Sequence, residues 1–310
     1  MSFASSVELT IACCENGVIG GWQGGNVASI EEFRSWLAAI SAAQRACQTA
    51  GRSFAPHAVN LPAGLARDAA NEKLSACEGS EVPLVFSSVG DPTEMVKRVQ
   101  GWGGRVIHDV VSIRHAEKAL AAGVDGLMLT CAGTGGHTGF LSPFSFVPRI
   151  RSLFDGLIVV GGGIANGAGI AAALALGADL ACMGTRFIAT EESGAVIGHK
   201  TMIAEVGMDD IMVSDAMNGI DANWIRQSLI HVNLDPNNLP PKRGPMRGAE
   251  LPDGVQAWKD IWSAGHSVGL INEVLPTSVL IDRLADEFAS AAPESSWRNQ
   301  LEIRWAPKLS

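Results

Sequence analysis

The residue best suited to chemistry is a histidine set among glycines. His137 lies in the run TGGHTG at residues 134–139, on a predicted loop that follows an apolar strand. Glycines let the backbone approach a flat ligand and project one imidazole over it. Imidazole has an unperturbed pKa close to neutrality, so it can take a carbon-bound proton or, when charged, hold an anion. His137 is therefore the candidate catalytic residue, although a lone histidine in a loop is usually only a surface residue.

Two glycine turns have the composition of a phosphate site. The first, GGGIANG at residues 161–167, precedes an alanine-rich segment of helical composition, and the second, MGTR at residues 183–186, ends the next predicted strand. Glycine amides can approach an anion closely, and a helix N-terminus adds partial positive charge. Neighbouring strand ends of this kind form the phosphate site of many (β/α)8 barrels. The alternative is that these glycines only let helices pack closely on the sheet.

The elements around these turns repeat as strand, turn and helix. Three short apolar runs, at residues 126–130, 157–160 and 180–183, are each followed by a glycine-rich turn. This order is typical of parallel βαβ units, whose strands end at one rim of the sheet. A chain of 310 residues, 47% of them hydrophobic, is long enough for a single (β/α)8 barrel with an accessory segment. We therefore expect the glycine turns and His137 to share one rim.

Several of these motifs resemble the nitronate monooxygenase family, once called 2-nitropropane dioxygenases. The resemblance is carried by GGHTG at 135–139, GGGIANGAGIAAALALGAD at 161–179, MGTRFIATEES at 183–193 and WSAGHSVGLI at 262–271. It implies an FMN-dependent TIM-type barrel that oxidises an alkyl nitronate with O2 to a carbonyl compound and nitrite. Enoyl-ACP reductases and NADH:quinone reductases with FMN share the scaffold, so a role for NAD(P)H stays open. A flavin-free lyase or isomerase and a non-catalytic flavin-binding protein are further alternatives.

The resemblance also assigns cofactor and substrate residues. Asn60 matches a strand-end asparagine that bonds the flavin ring, and an amide there can both donate and accept hydrogen bonds. His108 is expected to point into the barrel with Val106 and Val110, and His266 stands where relatives carry glutamine. Both histidines are candidates for the substrate pocket. The alternatives are that His108 is a core histidine and that His266 is a loop histidine without a role in the pocket. The predicted FMN contacts are Asn60, Thr130, Gly135, Gly136, Gly162, Gly163, Cys182, Met183, Gly184 and Thr185.

Two substitutions near the glycines depart from the family. Relatives carry glutamine seven positions before the GGH histidine, where this chain has Thr130, and an acidic residue just before the glycines is absent. Both changes imply a smaller and less charged pocket. Arg186 could clamp a phosphate or carboxylate, but an arginine at the base of a barrel strand commonly makes structural ion pairs. It is therefore left out of the catalytic set.

The beginning of the chain departs most from the family. Relatives have a first strand and a Pro-Met type turn before the helix predicted at Val7–Glu15, where only residues 1–6 stand here. We expect a barrel that lacks or shortens its first strand. Either the start codon is assigned late, or the barrel is closed by some other means. An open seam would expose strand edges. The predicted organisation is a barrel in residues 1–207, a loop-rich excursion over the active site in 208–253, and helices packing back on the barrel in 254–310. Two of these helices are expected at about 255–264 and 277–289.

Composition narrows the classes of partner. A net charge of −9 and a pI near 5.3 leave no basic patch for nucleic acid or anionic lipid. The sequence shows no secretory signal and no apolar run long enough for a bilayer, which predicts a cytoplasmic protein. Six cysteines without a CxxC pair predict reduced thiols rather than a disulfide or a metal site.

The chain has no tyrosine, which leaves proton transfer mainly to histidine. Trp297 and Trp305 in a polar tail predict docking on the barrel or in a homodimer.

Overall fold

The chain folds around a curled sheet of seven parallel strands. The computed structural model describes residues 1–64, 67–244 and 246–291. The strands of the sheet are β1 (Gly20–Gln23), β2 (His57–Pro62), β3 (Leu84–Ser88), β4 (Arg105–Val110), β5 (Gly126–Thr130), β7 (Leu157–Gly161) and β8 (Leu180–Cys182), while β6 (Gly136–His137) lies in a second sheet. Each of the seven pairs with the next along the chain. This confirms the predicted strand and helix repeat of a (β/α) barrel.

Helices cover the outer face of this sheet. The α-helices that the structure describes are α1 (Val7–Glu15), α2 (Ile30–Thr49), α3 (Arg67–Gly79), α4 (Thr93–Gly101), α5 (Ile113–Ala121), α6 (Pro143–Arg151), α7 (Gly167–Ala175), α8 (Thr185–Ile188), α9 (Ile197–Glu205), α10 (Arg226–His231) and α11 (Thr277–Ser290). Of these, α10 packs on β10 of the second sheet. Ser29 followed by Glu31 and Glu32 predicts the start of a helix, and α2 confirms it, because Ser29 Oγ accepts a hydrogen bond from Glu32 N at 3.1 Å. Of the helices the structure describes, none combines the length and apolar character needed to cross a bilayer.

The two faces of the sheet carry different sets of apolar side chains. Val106 and Val110 on β4 pack with the helices in the main hydrophobic core. Ile107, between them, packs with Ala58 and Met128 inside the curled sheet. A parallel sheet covered by helices is buried on both faces, so both faces of β4 read as apolar in the sequence. Packing alone decides which face becomes the interior.

The sheet is open between β1 and β8, which form its two edges among the described residues. Residues 1–6 bridge this gap without strand pairing. Ser5 Oγ accepts a hydrogen bond from Gln23 N on β1 at 3.0 Å, and Ala4 O accepts one from Gly194 N at 2.9 Å. Outside the gap, α11 packs against both α1 and α7. The open seam expected from the sequence is therefore present, covered by α11 and the N-terminal residues.

Residues 208–253 contain more regular structure than the loop-rich excursion that the sequence predicts. The prediction is wrong for a short 3-10 helix at Met208–Asp210, for β9 (Ile211–Ser214), for β10 (Ala222–Ile225) and for α10. β10 pairs antiparallel with both β9 and β6. β9 and β10 pair with each other, and β10 also pairs with β6, more than 80 residues away in sequence, a contact that local composition does not reveal. This second sheet joins the excursion to the loop that carries His137.

The helix predicted at residues 255–264 is also wrong. The chain there forms turns and an isolated bridge between Ala257 and Ile261. Trp258 has a φ of 72°, which an α-helix does not accommodate. The next predicted helix, at residues 277–289, is confirmed as α11. The predicted docking of Trp297 and Trp305 lies outside the described residues.

Candidate active site

The carboxyl ends of the strands surround a cavity of about 1770 Å³. Ligand pockets usually measure about 300 to 1,000 Å³, so this one has room for a cofactor and a substrate together. Most of the predicted site residues come together in its wall. Those that line it are Asn60, His108, Thr130, Gly135, Gly136, His137, Gly162, Gly163, Cys182, Met183, Gly184 and Thr185. Among the described residues, no cluster of three or more His, Cys, Asp or Glu side chains could hold a metal ion.

The turn after β7 presents glycine backbone to the cavity. Gly162 has a φ of 138°, and a Cβ atom there would lie 2.8 Å from the carbonyl oxygen of Ala132. Gly163 has a φ of 71°, and nothing lies within 4 Å of where its Cβ would be. Both backbone conformations favour glycine. The open space beside Gly163 leaves room for an anion next to the amides of this turn.

The start of α7 is already paired with a carboxylate. Gly167 N donates a hydrogen bond to Glu287 Oε2 on α11 at 2.8 Å, and Asn166 Oδ1 accepts one from Gly169 N at 2.9 Å. The negative charge of Glu287 offsets the partial positive charge of the helix end. The expectation that this helix end serves an anion in the cavity is therefore wrong, because α11 packs on it across the seam. The amides of the preceding turn remain as the candidate anion site.

The turn after β8 forms the neighbouring part of the rim. Gly184 precedes α8, and Thr185 Oγ1 accepts a hydrogen bond from Gly265 N at 2.9 Å. The Cys182 side chain is exposed towards the cavity. Met1 Sδ would lie 3.6 Å from a Cβ atom at Gly184, so the N-terminal residues pack against this turn. Both glycine turns thus face one region of the cavity, as their positions on adjacent strands predict.

Asn60 lies near the end of β2 with an unpaired amide oxygen. Its Oδ1 atom is buried and has no hydrogen-bond partner among the described residues. A buried amide oxygen without a partner costs about 1 to 3 kcal/mol, so such an atom usually marks a contact to something else. Asn60 shares the interior face of β2 with Ala58 and lines the cavity. It is therefore placed to accept a hydrogen bond from a ligand.

A buried carboxyl group lies beside Thr130. The Thr130 hydroxyl donates a short hydrogen bond to Asp109 Oδ1, and Asp109 also lines the cavity. Burial raises the pKa of Asp109 to about 6, although the threonine hydrogen bond acts in the opposite direction. Asp109 is not among the site residues predicted from the sequence. The signal was present, because Asp109 is the one acidic residue in the apolar run of β4 and alternates with His108.

The glycine loop before His137 packs against the segment around Gly265. Gly136 N donates a hydrogen bond to Ser263 Oγ at 2.7 Å, and a Cβ atom at Gly135 would lie 2.7 Å from Gly265 N. Gly135 is therefore needed for the contact between two backbone segments. From the sequence, these glycines were expected to make room for a flat ligand. In the structure they make room for the backbone of residues 263–265. Both segments nevertheless line the cavity.

His137 lies on β6, opposite Ala222 on β10. Its Nε2 atom is 2.8 Å from Nδ2 of Asn218, and its ring stands edge-on to Trp258 with the ring centroids 5.4 Å apart. The side chain is accessible, but it lies within the concave wall of the cavity. Burial by the surrounding protein lowers the pKa of the imidazole. Asn218 comes from the excursion, and no sequence pattern marked it as a partner of His137.

His108 does not point into the curled sheet as predicted. It shares the helix-facing side of β4 with Val106 and Val110, and its Nδ1 atom is 2.6 Å from Ser87 Oγ. His108 does alternate with Val106 and Val110 as predicted, but these residues face the helices. Ile107 and Asp109 occupy the interior of the curled sheet instead. Burial lowers the pKa of His108. His108 therefore meets the cavity only at its margin, and its pocket role stays a prediction.

His266 and Arg186 lie away from the cavity. The His266 imidazole is exposed and packs on Gly133, since a Cβ atom there would lie 3.1 Å from His266 Nδ1. Within the described chain, the cavity wall near His266 is formed by Ser263 and Ser267 instead. The predicted pocket position of His266 is thus not what the structure shows. Arg186 is buried and donates to the carbonyl oxygen of Glu273 at 3.2 Å, a structural contact.

The arrangement can be compared with known proteins. A protein-family model described as nitronate monooxygenase matches residues 38–287, which include both glycine turns, His137 and most of α11. The chain belongs to the nitronate monooxygenase family. The match confirms the family that the sequence motifs predict. It also includes residues 208–253, where β9 and β10 form the second sheet with β6.

Relatives of known name agree with this assignment. A nitronate monooxygenase from Paraburkholderia phytofirmans is 28% identical over 224 residues, 67% of this chain and 61% of that protein. An octahydro-indene-carboxyl-CoA dehydrogenase from Mycobacterium tuberculosis is 28% identical over 178 residues, 56% of this chain and 50% of that protein. The matches thus span about half to three fifths of the length of these relatives. Both names describe oxidoreductases, the predicted enzyme class.

Solved structures agree with the fold. FabK from Thermotoga maritima is 26% identical with a TM-score of 0.73, covering 94% of this chain and 91% of that one. A nitroalkane oxidase from Streptomyces ansochromogenes is 24% identical with a TM-score of 0.74, covering 96% of this chain and 94% of that one. The second likeness bears on the fold alone. Together they confirm the predicted TIM-barrel class.

Proposed function

We propose that this protein is an FMN-dependent oxidoreductase that converts an alkyl nitronate and O2 into a carbonyl compound and nitrite. One observation carries this proposal. Two glycine turns, the unpaired amide oxygen of Asn60 and the accessible imidazole of His137 line a single cavity at the carboxyl ends of the strands. Membership of the nitronate monooxygenase family supports the reaction.

The residues of the cavity fit FMN. Amides at Gly162, Gly163, Gly184 and Thr185 would hold the phosphate, because these residues line the cavity at two adjacent strand ends and the space beside Gly163 is open. Asn60 Oδ1 would accept a hydrogen bond from an N–H group of the ring. The other predicted contacts of FMN are Thr130, Gly135, Gly136, Cys182 and Met183.

The protein's own part in the reaction is to bind and orient an anion. When bound, FMN supplies an acceptor for an electron or a hydride equivalent. His137 provides a polar group on the cavity wall, and Trp258 holds its ring edge-on. The second sheet positions His137 through β10 rather than through the strands that carry the glycine turns. Cofactor binding and substrate orientation therefore depend on different parts of the chain.

Flavin content is the first test. Purified protein should be yellow, should release FMN on denaturation, and should melt at a higher temperature when FMN is added to the flavin-free form. If saturating FMN changes neither the absorbance nor the melting temperature, the proposal is wrong. A flavin-free lyase or isomerase that uses the same turns for a sugar phosphate would then take its place.

The size of the cavity favours one alternative. A volume of about 1770 Å³ exceeds what FMN and a small nitronate need. An NAD(P)H-dependent quinone or enoyl reductase would use this space for a larger substrate. Anaerobic mixing of the flavin-loaded protein with propionate 3-nitronate, NADH and NADPH separately distinguishes the candidates. Rapid bleaching of the flavin by a pyridine nucleotide, with none by the nitronate, would favour the reductase. Bleaching by none of the three would favour a flavin-binding protein without turnover.

A further inference from the structure

The amide group of Asn218 has a defined orientation next to His137. Its Oδ1 atom is 3.1 Å from Ile220 N and accepts the hydrogen bond that this backbone group donates. A backbone N–H can only donate, so the oxygen of the amide must face Ile220. The NH2 group therefore faces the imidazole, where Asn218 Nδ2 lies 2.8 Å from His137 Nε2.

This orientation determines where the proton of His137 lies. An NH2 group only donates, so Nε2 of His137 must accept and carries no proton. In the neutral imidazole the single proton is then on Nδ1. Protonation of Nε2 would set two donors against each other at 2.8 Å. The pair is therefore compatible with neutral His137 and opposes its charged form.

The surroundings of His137 do not favour a positive charge either. The amino group of Met1 disfavours a second positive charge at His137, and Asp221, which precedes the β10 residue paired with His137, lines the same cavity. The Asp215 and Lys242 side chains form an ion pair with each other elsewhere in the excursion. Among the described residues, no carboxylate lies within ion-pair distance of His137.

We propose that Asn218 is a positioning residue that keeps His137 neutral, with its proton on Nδ1, so that Nδ1–H is the group offered to the substrate. His137 then donates a hydrogen bond to an oxygen of the anion, and acts neither as an imidazolium nor as a base through Nε2. The role towards substrate rests on the proposed function. The location of the proton does not, because it follows from the contacts of Asn218 and Ile220.

The proton can be located directly in the purified protein without substrate. Nitrogen NMR of protein labelled in histidine, with His137 assigned by comparison with His137→Ala, should show an unprotonated Nε2 across about pH 6 to 8. Detection of the proton on Nε2, or of a charged ring at neutral pH, would overturn the proposal. This measurement uses the parent protein and needs no active variant.

Two variants of Asn218 test the positioning role. Asn218→Asp replaces the donor by a carboxylate that accepts from Nε2–H, which should move the proton to Nε2 and raise the pKa of His137 by about 1 to 3 units. Asn218→Ala should let His137 titrate nearer its ordinary value. Asn238→Asp is the matched control, because it makes the same change at an exposed site of the same excursion. An unchanged His137 titration in Asn218→Asp would contradict the proposal.

Turnover separates this inference from the proposed function. With a preformed nitronate, Asn218→Asp should gain a fall in kcat/KM with rising pH that the parent and Asn238→Asp lack, because its His137 loses charge over that range. If NMR places the proton on Nδ1 but no form turns over nitronate, the proposed function fails and the assignment of the proton stands. If nitronate is turned over and parent and Asn218→Asp share one pH profile, the positioning role is wrong.

Discussion

Thr130 on β5 donates a hydrogen bond to the carboxylate of Asp109 on the neighbouring strand β4, inside the curled sheet. This hydrogen bond favours the charged carboxylate, yet the pKa of Asp109 is raised from 3.8 to about 6 because burial outweighs it. Folded protein therefore binds this proton more tightly than the unfolded chain does. Asp109 stabilises the fold least above about pH 6 and most below about pH 4.

Asp109→Asn should therefore stabilise the protein in a pH-dependent way. Above about pH 6 the variant avoids burying a charge, and its free energy of unfolding should exceed that of the parent by about 1 to 3 kcal/mol. The difference should shrink as the pH falls from about 6 and vanish below about 4, where Asp109 becomes protonated in both states. Denaturant unfolding at several pH values measures it, with the exposed Asp253→Asn as control. A difference that does not vary with pH would contradict the raised pKa.

Gly163→Ala should weaken FMN binding beyond its cost in stability. Its φ of 71° strains any residue with a Cβ, and the added methyl group would occupy the space assigned to the phosphate. Gly51→Ala is the matched control, since Gly51 has a φ of 67° and open space as well, but lies far from the cavity at the end of α2. Both variants should melt at similarly lower temperatures. Only Gly163→Ala should raise the dissociation constant of FMN, and equal affinities would remove this turn from the phosphate site.

Asn60→Leu should separate ligand binding from stability. Removing a buried oxygen that lacks a partner should leave the flavin-free protein as stable as the parent or more stable, by up to about 2 kcal/mol. Affinity for FMN should fall, because the acceptor for the ring is lost. The melting temperature of the flavin-free form measures the stability, and fluorescence titration with FMN measures the affinity. A destabilised protein with unchanged FMN affinity would assign Asn60 a structural role instead.

His137→Ala should bind FMN nearly as tightly as the parent and lose turnover of nitronate by about 10²-fold or more, the usual cost of removing a positioned hydrogen-bond donor. The phosphate turns and Asn60 lie on β2, β7 and β8, so removing a side chain from β6 leaves them intact. His266→Ala is the comparison, because its exposed ring packs on Gly133 outside the cavity and should be dispensable. His108→Ala should lower the free energy of unfolding, because the buried hydroxyl of Ser87 loses its hydrogen-bond partner. Equal activity of His137→Ala and parent, both with FMN bound, would move the chemistry away from this loop.

Helices and strands could be predicted from the sequence where neighbouring residues determine where they begin or end. The end of β7 in glycine and the Ser29 cap of α2 are each set by residues within a few positions, and both were predicted. The failure at residues 255–264 is not explained by local sequence. Apolar spacing there suggests a helix, but Trp258 has a positive φ and packs on Trp224, with ring centroids 4.3 Å apart. Tertiary contacts override weak helix propensity in such short segments.

The sequence by itself determined the family and the position of the glycine turns, and it selected His137 as the candidate catalytic residue, because motifs of adjacent residues carry that information. Only the tertiary structure decided that Asp109 rather than His108 faces the interior. Both faces of β4 are apolar, and the choice between them depends on how neighbouring strands and helices pack. It likewise decided that Asn218 contacts His137 and that Glu287 pairs with the start of α7. These partners are 81 and 120 residues apart in sequence, and no local pattern encodes a contact over such a separation.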